Sequence, residues 1–452
     1  MGYSMSRLEI DSDLLCDRDK YSSEVGGNHR PNKPFNYLRS VPHGHLSDFL
    51  PQKSELPVSL VKMLVGGQGN YSGRGRFSQA DCCHVLSRYL PVNSPHVVDQ
   101  MPTQAYVSQF SADDSLVVAG FPGSNIKIYT VEKRWKVQKY ILAKNQCYLV
   151  YASMSPIIHI VNVGSAATES LANITEIHDV LDFSGEDDAV GYSSGIFSVK
   201  FSTDGRQLVA GSSDDSIYVY DLEANKLSLQ ILAHTSDVNT ICFADETSHL
   251  IYSGSDDILC KVWDRRCFKA RGKPAGVLMG HLEGITFIDS RADGRYFISN
   301  GKDQTIKLWD IRRMSSNAAC NPGFRNYEWD YRWMDYPPQA RGWKLPCDQS
   351  LATYKGHLVL RTLIRCCFSP AYSTGQGYIY TGSHDASVYV YDVVSGSLLA
   401  RLDQHEQTVR DCSWHPQYPL LVSSGWDEEI VKWEFPGRGE VRSAVKKKKN
   451  DA

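Results

Sequence analysis

One frame of residues recurs five times along the chain and limits the folds that it can adopt. In each copy an Asp lies six residues before an aromatic residue, and alternating apolar runs flank that Asp, as in "FISNGKDQTIKLWD" (297–310). Alternation with a period of two predicts strands, and the short polar stretch between them predicts a tight turn. The turn aspartates are Asp214, Asp257, Asp303, Asp385 and Asp427. Each copy is therefore expected to fold as strand, turn, strand.

The frame repeats at an almost constant interval of 42 to 46 residues within each run of copies. A further apolar strand precedes most copies, and four of these strands follow a histidine: His234, His281, His357 and His405. This pattern resembles the WD40 repeat, in which four strands form one blade of a β-propeller. Eroded units at 109–131 and 151–163 bring the expected number of blades to seven.

The resemblance to WD40 repeats also implies a role for the repeated polar residues. In that family a His, the turn Asp, a Ser or Thr and the strand Trp satisfy one another's hydrogen bonds, because a buried indole N–H needs an acceptor. In blade four these positions are His234, Ser253, Asp257 and Trp263. In blade five they are His281, Ser299, Asp303 and Trp309. The histidines are therefore expected to be structural. Tyr replaces the Trp in blades three and six, where the network should be incomplete.

The expected fold is all-β, a seven-bladed WD40 β-propeller with a short helical and disordered N-terminal extension. The expected boundaries are a disordered tail over 1–50, a helix–loop–helix over 51–93 with helices at 54–64 and 78–90, a propeller over 94–436 with an insertion over 314–350, and a basic tail over 437–452. A propeller cannot leave a long edge strand open. Because the residues after 433 are too polar and Gly-rich for a strand, we expect residues near 96–101 to close blade seven.

Composition and motifs argue against several classes of protein. The net charge of −3 creates no global field for nucleic acid, and no apolar run is long enough for a membrane helix. The 12 cysteines include no Cys-x-x-Cys pair. We expect no metal, no cofactor and no catalytic residue, since the repeat uses the histidines and aspartates. We expect an intracellular protein of nucleus and cytoplasm, with the C-terminal lysine run as a solvated tail or an import signal.

Two copies of the frame continue into the box Trp-Asp-x-Arg on neighbouring blades. Asp264 with Arg266 and Asp310 with Arg312 occupy equivalent positions just beyond the third strand of blades four and five. Both arginines should therefore project from one face of the ring. A solvated arginine that pairs with its own aspartate is one interpretation. A docking surface is the other, because guanidinium is a preferred interface anchor.

Tandem Trp-Asp-x-Arg boxes resemble the signature of WD-repeat substrate receptors of cullin-4 RING ubiquitin ligases. The order of features is closest to the cullin-4-associated factor eleven type and its plant relatives. The resemblance implies that both Asp-Arg pairs bind the propeller adaptor, the large subunit of the damage-specific DNA-binding protein. In that family an N-terminal helix–loop–helix often inserts into the adaptor, and the predicted helices 54–64 and 78–90 are candidates for this element.

An insertion separates blades five and six and is rich in Trp, Tyr and Arg. It contains a third "WDYR" (329–332), which no strand frame precedes. Aromatic residues and Arg are enriched in protein interfaces, and they also hold single-stranded nucleic acid. Acidic residues in the insertion oppose phosphate, and a loop packed over blades five and six is a further interpretation. Because the insertion leaves the same face as Arg312, we expect it to extend the adaptor interface.

The opposite face should carry the turn aspartates and the mouth of the central channel. Candidates for substrate contact on that face are Phe197, His384, Arg410 and Trp426. The expected function is that of a non-catalytic substrate receptor, with adaptor on one face and an unknown protein substrate on the other. No membrane and no direct nucleic acid are expected as partners. The alternative is a general WD-repeat scaffold in a chromatin- or RNA-associated complex.

Overall fold

The computed structural model describes residues 83, 86–87, 89–100, 103–111, 114–122, 125–131, 148–162, 178–184, 194–267, 273–316, 329–343 and 345–435. These residues form seven antiparallel sheets arranged as the blades of a propeller. The predicted fold class is therefore confirmed. The predicted tail over 1–50, the helix over 54–64 and the basic tail over 437–452 lie outside the described residues.

The strands are numbered in chain order. The closing strand is β1 (Asn93–Gln100), and blades one and two contain β2 (Val107–Phe110), β3 (Leu116–Phe121), β4 (Asn125–Thr130), β5 (Tyr148–Ala152), β6 (Ile157–Asn162) and β7 (His178–Asp182). Blades three and four contain β8 (Ile196–Phe201), β9 (Gln207–Ser212), β10 (Ser216–Asp221), β11 (Lys226–Leu232), β12 (Val238–Phe243), β13 (Leu250–Ser255), β14 (Cys260–Asp264) and β15 (Gly276–Leu278).

The remaining blades follow the same order. Blades five and six contain β16 (Ile285–Ser290), β17 (Tyr296–Gly301), β18 (Thr305–Asp310), β19 (Ala352–Lys355), β20 (Cys366–Phe368), β21 (Tyr378–Thr381), β22 (Ser387–Asp392) and β23 (Leu398–Asp403). Blade seven contains β24 (Val409–Trp414), β25 (Leu420–Gly425) and β26 (Glu429–Glu434). Among the described residues, the helical elements with defined bounds are one α-helix, α1 (Ala371–Thr374), and three 3-10 turns, Arg265–Cys267, Ile311–Arg313 and Pro338–Gly342.

The ring is closed by a strand from the start of the described chain. β1 runs antiparallel to β26, with His96 opposite Lys432 and Gln100 opposite Glu429. The prediction that residues near 96–101 complete blade seven is confirmed. Asp99 of β1 also accepts hydrogen bonds from Lys127 (2.7 Å) and Tyr129 (2.9 Å) of β4. The closing strand is therefore fixed to blade one as well as to blade seven.

The alternating strand directions define two faces of the ring. We call the face that carries the turns between second and third strands the top face; the connections that enter each first strand also lie there. We call the opposite face, where the third strands end, the bottom face. The sheets pack through apolar side chains between the two faces. For example, Tyr252 of blade four stacks on Phe297 of blade five at 4.4 Å between ring centroids, and Phe297 in turn stacks on Trp309.

Part of the N-terminal extension packs against blades six and seven at the bottom face. Cys83 and Leu86 are helical within the predicted helix 78–90, and the Ser87 N–H bonds the Cys83 carbonyl. The Tyr378 hydroxyl donates to the carbonyl of Ser87 at 2.7 Å. The Tyr89 ring meets Phe435 edge-on at 4.7 Å. This end of the extension is thus attached to the propeller.

The top-face turns share one backbone conformation. In the five blades with a turn Asp, the next residue has a positive φ: 65° at Asp215, 68° at Ile258, 65° at Gln304, 63° at Ala386 and 69° at Glu428. Residues with a Cβ rarely adopt this left-handed region, because the Cβ approaches the following carbonyl. The repeat therefore carries a strained position in each of these turns.

We expect Glu428→Gly to raise the free energy of unfolding by about 1 kcal/mol, because glycine adopts a φ of 69° without strain. Urea denaturation measures the change. The control is Glu406→Gly, at an exposed position on the same blade without a positive φ. A gain of equal size at Glu406 would show that the effect does not come from the turn.

Candidate functional site

The hydrogen-bond chain of blade four joins the residues that the WD40 resemblance singled out. His234 Nδ1 lies 2.8 Å from Asp257 Oδ2, and His234 Nε2 lies 2.8 Å from Ser253 Oγ. Trp263 Nε1 donates to the same Ser253 Oγ at 2.9 Å. Pairing matters here because an unpaired buried polar group is costly. Burial lowers the pKa of His234, which favours the neutral imidazole.

Blade five repeats the chain, with shorter contacts to the Ser hydroxyl. His281 Nε2 lies 2.6 Å from Ser299 Oγ, and Trp309 Nε1 donates to Ser299 Oγ at 2.7 Å. His281 Nδ1 lies 3.0 Å from Asp303 Oδ2. Burial alone would raise the pKa of the Asp303 carboxyl, but the charge and hydrogen bond of His281 hold it well below its usual range. The carboxylate therefore stays ionised inside the blade.

Blade seven contains a third complete chain, which the sequence analysis did not assign. His405 lies 2.9 Å from Asp427 Oδ2 and 2.7 Å from Ser423 Oγ, and Trp433 Nε1 donates to Ser423 at 2.8 Å. The signal was present in the sequence, because the same frame surrounds Asp427. Gly425 is part of that frame for a steric reason: a Cβ at this position would collide with the paired His and Asp.

Blade six is connected differently because Tyr391 occupies the position of the Trp. His357 Nδ1 lies 3.2 Å from the Tyr391 hydroxyl, and its Nε2 lies 3.1 Å from Asn300 Oδ1 of blade five. The turn residue Asp385 instead accepts from the Tyr389 hydroxyl at 2.6 Å. Without a carboxylate partner, burial lowers the pKa of His357 to about 4. The expected incompleteness of this network thus takes the form of a histidine bound only to neutral groups.

His357 makes folding sensitive to acid. Its pKa is lowered to about 4 in the folded protein, whereas an unfolded histidine titrates near 6.5. Between these pH values the unfolded chain binds the proton and the folded chain does not. The contribution of His357 to the free energy of unfolding is therefore full above about pH 6.5 and falls as the pH falls. The loss from this group by pH 4 is about 3 kcal/mol.

We expect His357→Gln to flatten the decline of stability between pH 6.5 and pH 4, because Gln cannot titrate and can still bond Tyr391 and Asn300. Urea denaturation at a series of pH values measures it. The matched control is His96→Gln, at an exposed histidine of β1, which should leave the decline unchanged. A decline as steep in His357→Gln as in the wild type would contradict the assignment.

The two Trp-Asp-x-Arg boxes end in equivalent short turns on the bottom face. Arg266 lies in the 3-10 turn after β14, and Arg312 lies in the 3-10 turn after β18. In each turn the Asp caps the backbone N–H of the Arg, at 3.0 Å for Arg266 and 3.1 Å for Arg312. Both arginines are exposed, with 64 % of the Arg266 side chain accessible. Neighbouring blades therefore present them on the same face.

The guanidinium groups of the two boxes have different partners. Arg266 binds its own Asp264 through both Nε (2.9 Å) and Nη2 (2.7 Å). This matches the interpretation of a solvated arginine that pairs with its own aspartate. Asp310 is instead bound by Arg295 at 2.8 Å. Within the described part of the chain, no carboxylate lies within ion-pair distance of Arg312. The box of blade five thus exposes a guanidinium that is free of its own aspartate.

Residues 329–343 of the insertion lie on the top face, so the expectation that the insertion extends the adaptor interface is wrong for this segment. The Tyr331 ring covers Lys302 of a top-face turn, with Nζ 3.9 Å from the centroid, and the Arg361 N–H bonds the Tyr331 carbonyl at 2.9 Å. Tyr336 and Ala340 pack against Leu360. The insertion follows the bottom-face turn of blade five, whereas these contacts of residues 329–343 are with the top face.

The return segment of the insertion runs along the side of the ring. Leu345 packs with Val277 and Met279 of blade four. Asp348 accepts from Lys307 Nζ of β18 at 2.7 Å. These contacts lead the chain from the top face into β19 and complete blade five. The interpretation as a loop packed over the blades is thus the one that the contacts of residues 329–351 match best.

Three of the four substrate-face candidates meet at the mouth of the channel. Arg410 Nη1 donates to the Tyr106 carbonyl at 2.7 Å, and its guanidinium lies 4.8 Å from the Tyr106 ring. The Trp426 ring lies 6.2 Å from the same Tyr106 ring. His384 Nδ1 lies 2.7 Å from Thr408 Oγ1, whose carbonyl accepts from the Trp426 N–H. Phe197 lies on β8 in blade three, and none of these contacts includes it.

The residues that join these candidates were not predicted from the sequence. Tyr106 precedes the eroded first blade, and Thr362 accepts from Arg410 Nε at 3.0 Å. No repeat signal marks either residue, because both lie in connections between blades. Burial, then the nearby charge of Arg365, lowers the pKa of Arg410 to about 10. In the described residues no group of three His, Cys, Asp or Glu side chains could hold a metal ion, and no helix could span a membrane.

Comparison with known proteins agrees with this architecture. The family model described as WD domain, G-beta repeat, matches residues 187–221, 226–264, 272–310, 348–392 and 396–434. These matches correspond to blades three to seven. The WD40 resemblance is therefore confirmed, and blades one and two carry the eroded copies that the sequence analysis described.

Whole-chain relatives extend the comparison. The chain is 63% identical to LEC14B protein of Lithospermum erythrorhizon, over 98% of both chains. It is 36% identical to the DDB1- and CUL4-associated factor 11 homolog of Caenorhabditis briggsae, over 80% of this chain and 69% of that one. The chain belongs to the family of the LEC14B protein and the DDB1- and CUL4-associated factor 11 homologs. The homolog of Caenorhabditis elegans is 37% identical, over 79% of this chain and 65% of that protein. Members from plants and nematodes thus share most of the region that builds the propeller.

Proposed function

We propose that the protein is a non-catalytic substrate receptor of a cullin-4 RING ubiquitin ligase. On this proposal the bottom face binds the propeller adaptor, the large subunit of the damage-specific DNA-binding protein. The top face presents a protein substrate for ubiquitination and proteasomal degradation. The observation that carries the proposal is the 36–37% identity to proteins named DDB1- and CUL4-associated factor 11 homolog.

The bottom-face geometry supports adaptor binding through Asp264, Arg266, Asp310 and Arg312. Both arginines are exposed on turns that their aspartates cap. Capping holds the turns in one conformation, so little conformational entropy is lost on binding. Among the described residues Arg312 has no carboxylate partner that it must leave, whereas Arg266 must exchange or share Asp264. A planar guanidinium with several donors suits an acidic or carbonyl-rich partner surface.

The remaining features fit a receptor better than an enzyme. The histidines of blades four, five and seven are held in structural chains with an Asp and a Ser. The buried thiols Cys242 and Cys260 have pKa values raised by burial, which makes them poor nucleophiles. We place the protein in nucleus and cytoplasm, the compartments in which such a ligase would meet its substrates, and expect neither membrane nor direct nucleic-acid binding.

We expect the double variant Arg266→Glu with Arg312→Glu to lose adaptor binding by about tenfold or more, because two interface anchors become repulsive. Co-purification of tagged receptor with the adaptor measures it. Thermal unfolding should be unchanged, since both side chains are exposed.

The matched control is Arg332→Glu with Arg341→Glu, which makes the same change in charge at two exposed arginines of the top-face insertion. This control should recover the adaptor as the wild type does. Full recovery of the adaptor by the bottom-face variant would rule out the docking surface. If that variant also bound RNA or histones in a salt-sensitive manner, the protein would instead be a general WD-repeat scaffold.

A further inference from the structure

The most exposed aromatic side chain in the described structure lies on the top face. Trp333 is 75 % exposed, and Met334 beside it is 49 % exposed. Both follow the turn that places Tyr331 over Lys302. A patch of large apolar side chains exposed to solvent is characteristic of a binding surface. Trp is also the residue most enriched among interface anchors.

The turn that carries Trp333 is held rigidly. The N–H groups of Trp333 and Met334 both bond the Asp330 carbonyl, at 3.1 and 2.9 Å. Arg361 fixes the turn to the propeller, because its N–H bonds the Tyr331 carbonyl and its Nη1 donates to the Arg332 carbonyl at 3.0 Å. An anchor on a pre-ordered turn loses little entropy when it binds a partner.

The surroundings of this turn carry an excess of hydrogen-bond donors. Within the described residues no carboxylate lies within ion-pair distance of Arg361 or Arg410, which bind only neutral oxygens. The two arginines are neighbours: the Arg361 N–H bonds the Tyr331 carbonyl, and Arg410 Nε donates to Thr362, the residue after Arg361, at 3.0 Å. The buried indole N–H of Trp426 also has no acceptor in the described structure. These groups are complementary to an acceptor that carries negative charge.

We propose that the top face binds an acidic peptide segment of the substrate protein that carries an apolar side chain beside its Asp or Glu residues. The apolar side chain packs on Trp333 and Met334, and the carboxylates bind Arg361 and Arg410 at the channel mouth. This inference rests on the proposed function, in that it defines the class of substrate that the top face presents. It assigns the described part of the insertion to substrate binding.

Acidic side chains on the same turn favour a peptide over a nucleic acid. Asp330 and Asp335 belong to the segment that carries Trp333, and the charge of Asp335 also reaches His384. Asp256 lies beneath Tyr331, bound to Lys302 at 2.7 Å. A continuous phosphate backbone across the turn would meet these carboxylates, whereas a peptide can place its charges beside the arginines alone.

The test uses the full chain and a short fluorescein-labelled peptide with a central Leu-Phe pair flanked by Asp and Glu. Fluorescence anisotropy measures its binding, with three comparison probes. One peptide has Lys and Arg in place of the acids, one has Gly in place of Leu-Phe, and the third probe is a labelled single-stranded oligouridylate. We expect binding of the acidic peptide to exceed binding of each comparison probe by about tenfold or more.

Variants connect the binding to the named residues. We expect Trp333→Ala to weaken it by about tenfold and Arg361→Gln by about fivefold, through loss of the anchor and of one charge. Asp335→Asn should strengthen it by about twofold, because it removes a repulsive carboxylate. The matched controls are Tyr418→Ala and Arg206→Gln, at an exposed aromatic residue and an exposed arginine in bottom-face turns, and these should leave the affinity unchanged.

Three results would overturn the inference. They are no binding of the acidic peptide by the wild type, equal binding by the Trp333→Ala and Arg361→Gln variants, and tighter binding of the oligouridylate than of the peptide. Adaptor co-purification, measured on the same preparations, reports separately on the proposed function. Retained adaptor with no peptide binding would reject only the substrate class, whereas retained peptide binding with no adaptor would reject only the ligase role.

Discussion

The pairing of β1 with β26 is the contact on which the rest of the structure depends. Without it, blade seven would end in an exposed strand edge. The first and last sheets would then be joined only by packing and by isolated hydrogen bonds such as those from Ser108 and Phe110 to blade seven. Asp99 adds a second attachment, because Lys127 and Tyr129 of blade one both bond its carboxylate. A closed ring fixes the position of every blade, and only then do loops from distant parts of the chain form two defined faces.

Within that ring, the Trp-centred hydrogen-bond chains connect the interior with both faces. In blade five, Ser299 accepts from Trp309 and contacts His281, so the third strand is fixed from its top-face turn to its lower end. Asp310 is the last residue of that strand, and Arg312 lies in the 3-10 turn that follows it. The position of the exposed guanidinium on the bottom face is therefore a consequence of packing inside the blade. The structural residues and the proposed docking residues are adjacent in sequence for this reason.

The insertion adds residues to the top face, although it follows a strand that ends at the bottom face. It leaves blade five beside Arg312, yet its described aromatic segment is held on the top face by Lys302, Leu360 and Arg361. The face opposite the Trp-Asp-x-Arg boxes thus combines the channel mouth with an exposed Trp333. Tyr89, at the end of the N-terminal extension, packs against Phe435 at the bottom of blade seven. The bottom face is therefore built from the propeller and from the end of that extension.

The sequence alone determined the blades, the closing strand and the polar chains of blades four and five, because strand alternation and the spacing of His, Asp and Trp are local and periodic. It also predicted that Arg266 and Arg312 share a face, since they hold one position in the repeat. Only the tertiary structure decided that Asp310 binds Arg295, that Tyr106 joins Arg410 to Trp426, and that residues 329–343 lie on the top face. The contacts of Tyr106 and of residues 329–343 join different blades or segments outside the repeat, about which a periodic pattern carries no information. Arg295 belongs to the same blade as Asp310, but its residue type does not recur: the equivalent position in blade four is His249.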